Sequence, residues 1–159
     1  MRWGVLSLCS SFLIAALTGC IEDSQKDDIA LLDSGSYSGI RSRNLVVIDN
    51  HTQFVDLWLS HTANITPLPE IPDVDFGQRT VIGAFMGEKN AGGYDIHVDS
   101  IERNNDDALI NIILTSPGPD CIIAVTITSP YEIVSVPKIK GTAIFSETAQ
   151  TSDCKETVN

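Results

Sequence analysis

Apolar and polar positions alternate with different rhythms along this chain, and each rhythm predicts a different kind of element. A nearly unbroken apolar run from Val5 to Leu17 follows the basic Arg2 and gives way to small residues. It is too short for a permanent membrane span and has the layout of a secretory leader over residues 1–19. From Ile21 to Arg43 the pattern dissolves into Asp, Ser and Gly, with little beyond Ile29, Leu31, Leu32 and Ile40 to bury, so residues 20–43 are expected to form a flexible tether. Leu45-Val46-Val47-Ile48 then reads as a short buried strand. Directly after it, Phe54, Leu57 and Trp58 recur with helical spacing, and Asn50 or Thr52 is available as an N-cap. One amphipathic helix is predicted there, its apolar face packed on a sheet.

Beyond the helix, residues 64–79 carry Pro67, Pro69 and Pro72 and read as an extended connection, with Phe76 placed to plug the core. The rhythm then becomes strand after strand, broken by turn chemistry. Strands are predicted over Thr80–Met86, Tyr94–Glu102, Ala108–Thr115, Cys121–Thr128, Tyr131–Val136 and Gly141–Glu147. A parity break after Val98 suggests a bulge, and Asn104 to Asp107 reads as a hairpin turn. With no βα alternation, the fold class is α+β: a mainly antiparallel β-sheet of six to seven strands with one N-terminal amphipathic helix packed on it. The domain is expected over 44–148, followed by a polar tail, 149–159.

The leader ends in Leu17-Thr18-Gly19-Cys20, which resembles the bacterial lipobox. That resemblance implies cleavage before Cys20 and acylation of its sulfur and new amino terminus, anchoring the protein in a membrane of the cell envelope. Ile21 rather than Asp after the cysteine favours an outer-membrane address, facing the periplasm or the cell surface. Cleavage would remove Arg2 alone among the charged side chains of a chain whose formal net charge is −11. Such acidity argues against nucleic acid or anionic lipid headgroups as partners. Cys121 and Cys154 remain as a pair, read as a disulfide in an oxidising compartment; with the three histidines they could instead suggest a metal site, but no metal-ligand spacing supports one.

Several linked segments carry a family resemblance. Asp75-Phe76, the run Gly87-Glu88-Lys89-Asn90-Ala91-Gly92-Gly93-Tyr94-Asp95-Ile96 and the run from Ser129-Pro130-Tyr131-Glu132 to Val136-Pro137-Lys138 resemble the PrcB C-terminal domain family from about Leu45 to Phe145. The resemblance implies an accessory role in a bacterial surface protease complex, stabilising or assembling the protease without cutting anything. Cys121 and Cys154 are a departure and are not carried over as family features. Read physically, Gly87, Gly92 and Gly93 permit positive φ and close backbone approach, so the loop joins two strands tightly. It does not fit a phosphate-loop fingerprint. Glu88, Lys89, Asn90, Gly92, Gly93 and Tyr94 are the candidate partner or ligand loop, with Lys89 and Glu88 at its tip and the Tyr94 ring against the loop or core.

No catalytic constellation is legible. His51, His61 and His97 are expected to face solvent, and the sequence has no G-x-S-x-G elbow, HExxH motif or EF-hand loop. The expectation is a lipid-anchored extracytoplasmic accessory protein, without catalysis, metal or cofactor, that binds a protein such as a protease. The alternative is a lipoprotein binding a small ligand or envelope polymer.

Overall fold

The computed structural model describes residues 28–154. The leader, Cys20, the start of the expected tether and residues 155–159 lie outside the described residues. The elements in order are β1 (Ala30–Gly35), β2 (Asn44–Ile48), α1 (His51–His61), β3 (Arg79–Phe85), β4 (Asp95–Asn104), β5 (Asp107–Pro117), β6 (Tyr131–Pro137) and β7 (Ala143–Ser152). They form a four-stranded sheet of order β1-β6-β3-β2 and a three-stranded sheet of order β4-β5-β7.

The layering follows from β3 and β6, whose residues are buried almost without interruption. Such runs must be covered on both faces. Alternate residues divide between two cores: Val81, Phe85, Tyr131 and Ile133 pack with Ile48 and with Phe54 and Trp58 of α1, while Ile82, Ala84, Val134 and Val136 pack with Ile96, Val98, Ile110 and Ile112 of the second sheet. The first sheet is therefore the middle layer between helix and second sheet. α1 starts at Asn50, whose Oδ1 accepts the Gln53 amide at 3.0 Å, and turns Phe54, Trp58 and His61 onto the sheet. Phe76 lies half-buried beside Phe54, ring centroids 5.9 Å apart.

Among the hydrogen bonds between the sheets, Arg103 of β4 donates to the Pro137 carbonyl and Arg43 to Glu147 at exposed positions, while the buried ones come from one carboxylate. Glu132, on β6, accepts the Val98 amide at 2.6 Å through Oε2 and contacts His97 Nδ1 at 2.9 Å through Oε1. Both partners lie where the β4–β5 register shifts between Val98 and Ser100, so the expected bulge is present and it turns β4 toward the carboxylate.

Several expectations are corrected. The strands fall in two sheets, and β7 runs parallel to β5, because the chain leaves β5, forms β6 in the other sheet and returns to the end where β5 began. The helix follows two strands and is not N-terminal. Part of the stretch expected as tether is β1, which pairs antiparallel with β6 and is fastened by Arg79, whose guanidinium bonds Asp28, the Ser135 hydroxyl and the Ser135 carbonyl. Cys121–Thr128 is not a strand: it is β7 that pairs with β5, and β1 and β3 that flank β6. β7 itself extends to Ser152, into the segment expected as tail.

Cys121 and Cys154 form a disulfide beside the last ladder pair, Pro117 with Ser152. With a sequence separation of 33, the chain-entropy account assigns it roughly 4 kcal/mol. Thiol labelling of unreduced protein is expected to find neither cysteine free. Glu132→Ala would strand the buried Val98 amide, and we expect a loss of about 2 kcal/mol in urea unfolding; a loss below about 0.5 kcal/mol would show that the carboxylate does not join the sheets.

Candidate functional site

The loop singled out in the sequence is built as a brace. Gly87 takes φ 77° with its α-carbon so close to the chain before β2 that a Cβ would lie 2.8 Å from the Arg43 amide nitrogen. Gly93 takes φ 83°, and a Cβ there would meet Pro117 at 3.0 Å. Only glycine accommodates both the sign of φ and the approach. Gly92 is not in the positive-φ region; its amide donates to the Ala124 carbonyl at 2.9 Å. Lys89 and Thr128 exchange backbone hydrogen bonds of 2.8 and 2.9 Å, and the Thr128 hydroxyl donates to the Ala91 carbonyl. The side chains at the tip are held too: Glu88 faces Arg41 at 3.8 Å, and the Lys89 ammonium lies over the half-buried Tyr94 ring. Asn90 is exposed.

What the loop braces is residues 118–129. The sequence CIIAVTIT has the alternation of a strand, but it joins neither sheet and runs over the surface. Ile122 and Val125 are 104% and 95% exposed and Ile127 is 61% exposed, with Ile123 also outward. Beside Ile127 a groove of about 410 Å³ is lined by Tyr37, itself 65% exposed, and by Arg41, Asn64 and Glu88. The segment is pinned at one end by the disulfide and at the other by the Lys89–Thr128 bridge. Exposed apolar side chains on a segment held at both ends make this the candidate interaction surface.

A larger groove, about 1060 Å³, opens between β1 and β4 over β6. Ile29, Leu31, Val98, Ile101 and Val134 supply its apolar lining, and the Glu132–His97 pair stands in it. His97 is exposed as expected, with Nδ1 taken by Glu132 and the other ring nitrogen available.

His61 is the correction among the histidines. It is fully buried at the end of α1, and its ring lies 4.2 Å from the Tyr131 ring. Nδ1 is 3.0 Å from the Ser38 hydroxyl and Nε2 is 3.0 Å from Asp33 Oδ2, which also accepts from the Tyr131 hydroxyl at 3.1 Å. The Asp33 carboxylate only accepts, so Nε2 donates to it, and in the neutral ring Nδ1 then accepts from the Ser38 hydroxyl, whose oxygen also accepts the Ile40 amide. The set has the composition of a nucleophile, base and orienting acid, yet the neighbouring amides are engaged: Ser38 to the Ser129 carbonyl, Gly39 to the His61 carbonyl and Ile40 to Ser38 itself. No amide at the serine is left to stabilise an oxyanion. The network joins β1, α1 and β6. Sequence periodicity missed it because Asp33 and Ser38 belong to a stretch that looks like linker; the one available signal was His61 following Phe54 and Trp58 at helical spacing.

Among the described residues, no group of three or more His, Cys, Asp or Glu side chains is placed to hold a metal ion. No helix there is long and apolar enough to cross a membrane.

Burial, and after it the charge and hydrogen bond of Asp33, push the Tyr131 phenol well above its ordinary value. A raised folded-state value means that its contribution is complete below the unfolded value, about pH 10, and is lost as pH rises through the folded value. Tyr131→Phe is expected to cost about 1 kcal/mol at neutral pH. The gap between wild type and variant should narrow above about pH 10, read by urea unfolding across an alkaline series.

Residues 80–137, spanning nearly all of β3 through β6, match the model of the family described as PrcB C-terminal. The matched span lies within the stretch that carries the resemblance in the sequence, and it includes the brace loop, the exposed segment and Glu132. No curated protein and no solved structure matches the chain.

Proposed function

We propose, from a chain whose residues 80–137 belong to the PrcB C-terminal family, a lipid-anchored accessory protein of the bacterial envelope that docks another protein through the 118–129 ridge. The carrying observation is the ridge itself: Ile122 and Val125 project fully into solvent from a segment braced by a loop and a disulfide. Evolution of a merely connecting segment would favour polar residues there, since two such side chains cost nothing to replace when unburied and contribute about 1.5–3 kcal/mol each when a partner covers them. The family points to a protease as the client, and the role is to hold or stabilise it; the protein supplies no chemistry of its own. Cys20 carries the acyl anchor, and the address is the outer membrane.

A second reading, a lipoprotein that binds a small ligand or an envelope polymer, is favoured by the groove of about 1060 Å³ with its apolar lining and His97. Affinity capture separates the two. Tagged protein recovered from detergent-solubilised membranes is expected to bring a stoichiometric envelope protein with it, identified by mass spectrometry. Ile122→Asp with Val125→Asp should abolish that recovery while leaving the melting temperature within about 2 °C, because exposed positions carry little stability. A partner that survives the double substitution would remove the ridge from the interface. Cys20→Ser should release the protein from the membrane fraction without abolishing capture of a soluble client.

A further inference from the structure

The sheet edges differ in how they are protected. Free edges invite pairing with another chain, and proteins blunt them with charge, proline or bulges. Among the described residues the edge strands are β1, β2, β4 and β7. β1 carries Asp33 and a register shift between Leu31 and Asp33. β4 carries the bulge after Val98 and several charges, and its Val98 amide is taken by Glu132. β7 carries Glu147, paired with Arg43. β2 has none of these: Asn44-Leu45-Val46-Val47-Ile48 contains no charge, proline or glycine, and its register on β3 is unbroken from Asn44 with Phe85 to Ile48 with Val81.

A groove of about 500 Å³ follows this edge, between β2 and the overhanging side of α1. Ile40, Val46, Ile48 and Leu57 give it apolar walls, and Gln53 and Asp56 stand on the helix side. Asp56 is exposed, and among the described residues it enters no ion pair or side-chain hydrogen bond, so the rim presents a negative charge. A bare strand edge supplies alternating amide donors and carbonyl acceptors, which an extended backbone matches, while the walls accept every second side chain.

We propose that β2 and α1 form a peptide-binding site in which an extended segment of a partner protein adds to the first sheet as a fifth strand, its alternate apolar side chains in the groove and a lysine or arginine opposite Asp56. The site is separate from the ridge and does not rest on it.

The test uses short labelled peptides that alternate valine, isoleucine or leucine with lysine or threonine, titrated against the detergent-solubilised full chain and read by fluorescence anisotropy and amide exchange. Binding is expected to protect amides within 44–48. Peptides N-methylated along one edge should lose binding, and those methylated along the opposite edge should keep it, because only one edge faces β2. Asp56→Asn should weaken lysine-bearing peptides about two- to five-fold and leave threonine-only peptides unchanged. The proposal is overturned if no peptide binds, if both methylated forms bind alike, if protection falls outside β2, or if sedimentation shows β2 already occupied in a dimer that peptides do not dissociate.

Discussion

The antiparallel pairing of β3 with β6 is the constraint on which the rest of the molecule depends. Seven consecutive pairs, from Arg79 with Pro137 to Phe85 with Tyr131, make a ribbon that is apolar on both faces. A ribbon of that kind has no stable existence in water, so one face recruits α1 and the other recruits the second sheet. The order of the layers, the two cores and the free edges of the first sheet all follow. Even the polar exceptions serve this arrangement: Glu132 turns its carboxylate toward β4, and Tyr131 turns its hydroxyl toward Asp33.

Polar groups inside such a fold must be satisfied, and here their satisfaction does positional work. The Glu132 carboxylate substitutes for the missing ladder between sheets, and the Asp33, His61, Ser38 and Tyr131 network fastens an otherwise weak edge strand to the helix. Neither is a stability bonus of great size, since buried charged hydrogen bonds largely offset their own desolvation. Their effect is to exclude alternative placements of β4 and β1, because any other placement leaves a buried charge or donor without a partner.

The surface divides along the same lines. The central strands β3 and β6 are buried, the edge strands β1 and β7 keep Leu31 and Ile144 outward, and the strand-like segment 121–128 lies outside with most of its apolar side chains exposed. The brace loop and the disulfide hold it in one place, which lowers the ordering cost a partner would otherwise meet. The family match covers both loop and segment.

Local chemistry was legible in the sequence wherever a residue's neighbours in the chain are also its neighbours in space. The α1 periodicity with its Asn50 cap, the buried runs of β3 and β6, the bulge after Val98 and the turn at Asn104 to Asp107 were readable because sterics and alternation act over a few residues. The brace loop was readable as a tight connection, from its glycines, but what it braces was not. Tertiary structure alone decided that Ala30–Gly35 is a strand while Cys121–Thr128 is not, for each outcome rests on pairing with segments far away in the chain. It alone decided that β7 lies parallel to β5, that His61 is buried and that Glu132 joins the sheets. Those outcomes depend on contacts between residues far apart in the chain, where pattern along the sequence carries no information about which partner wins.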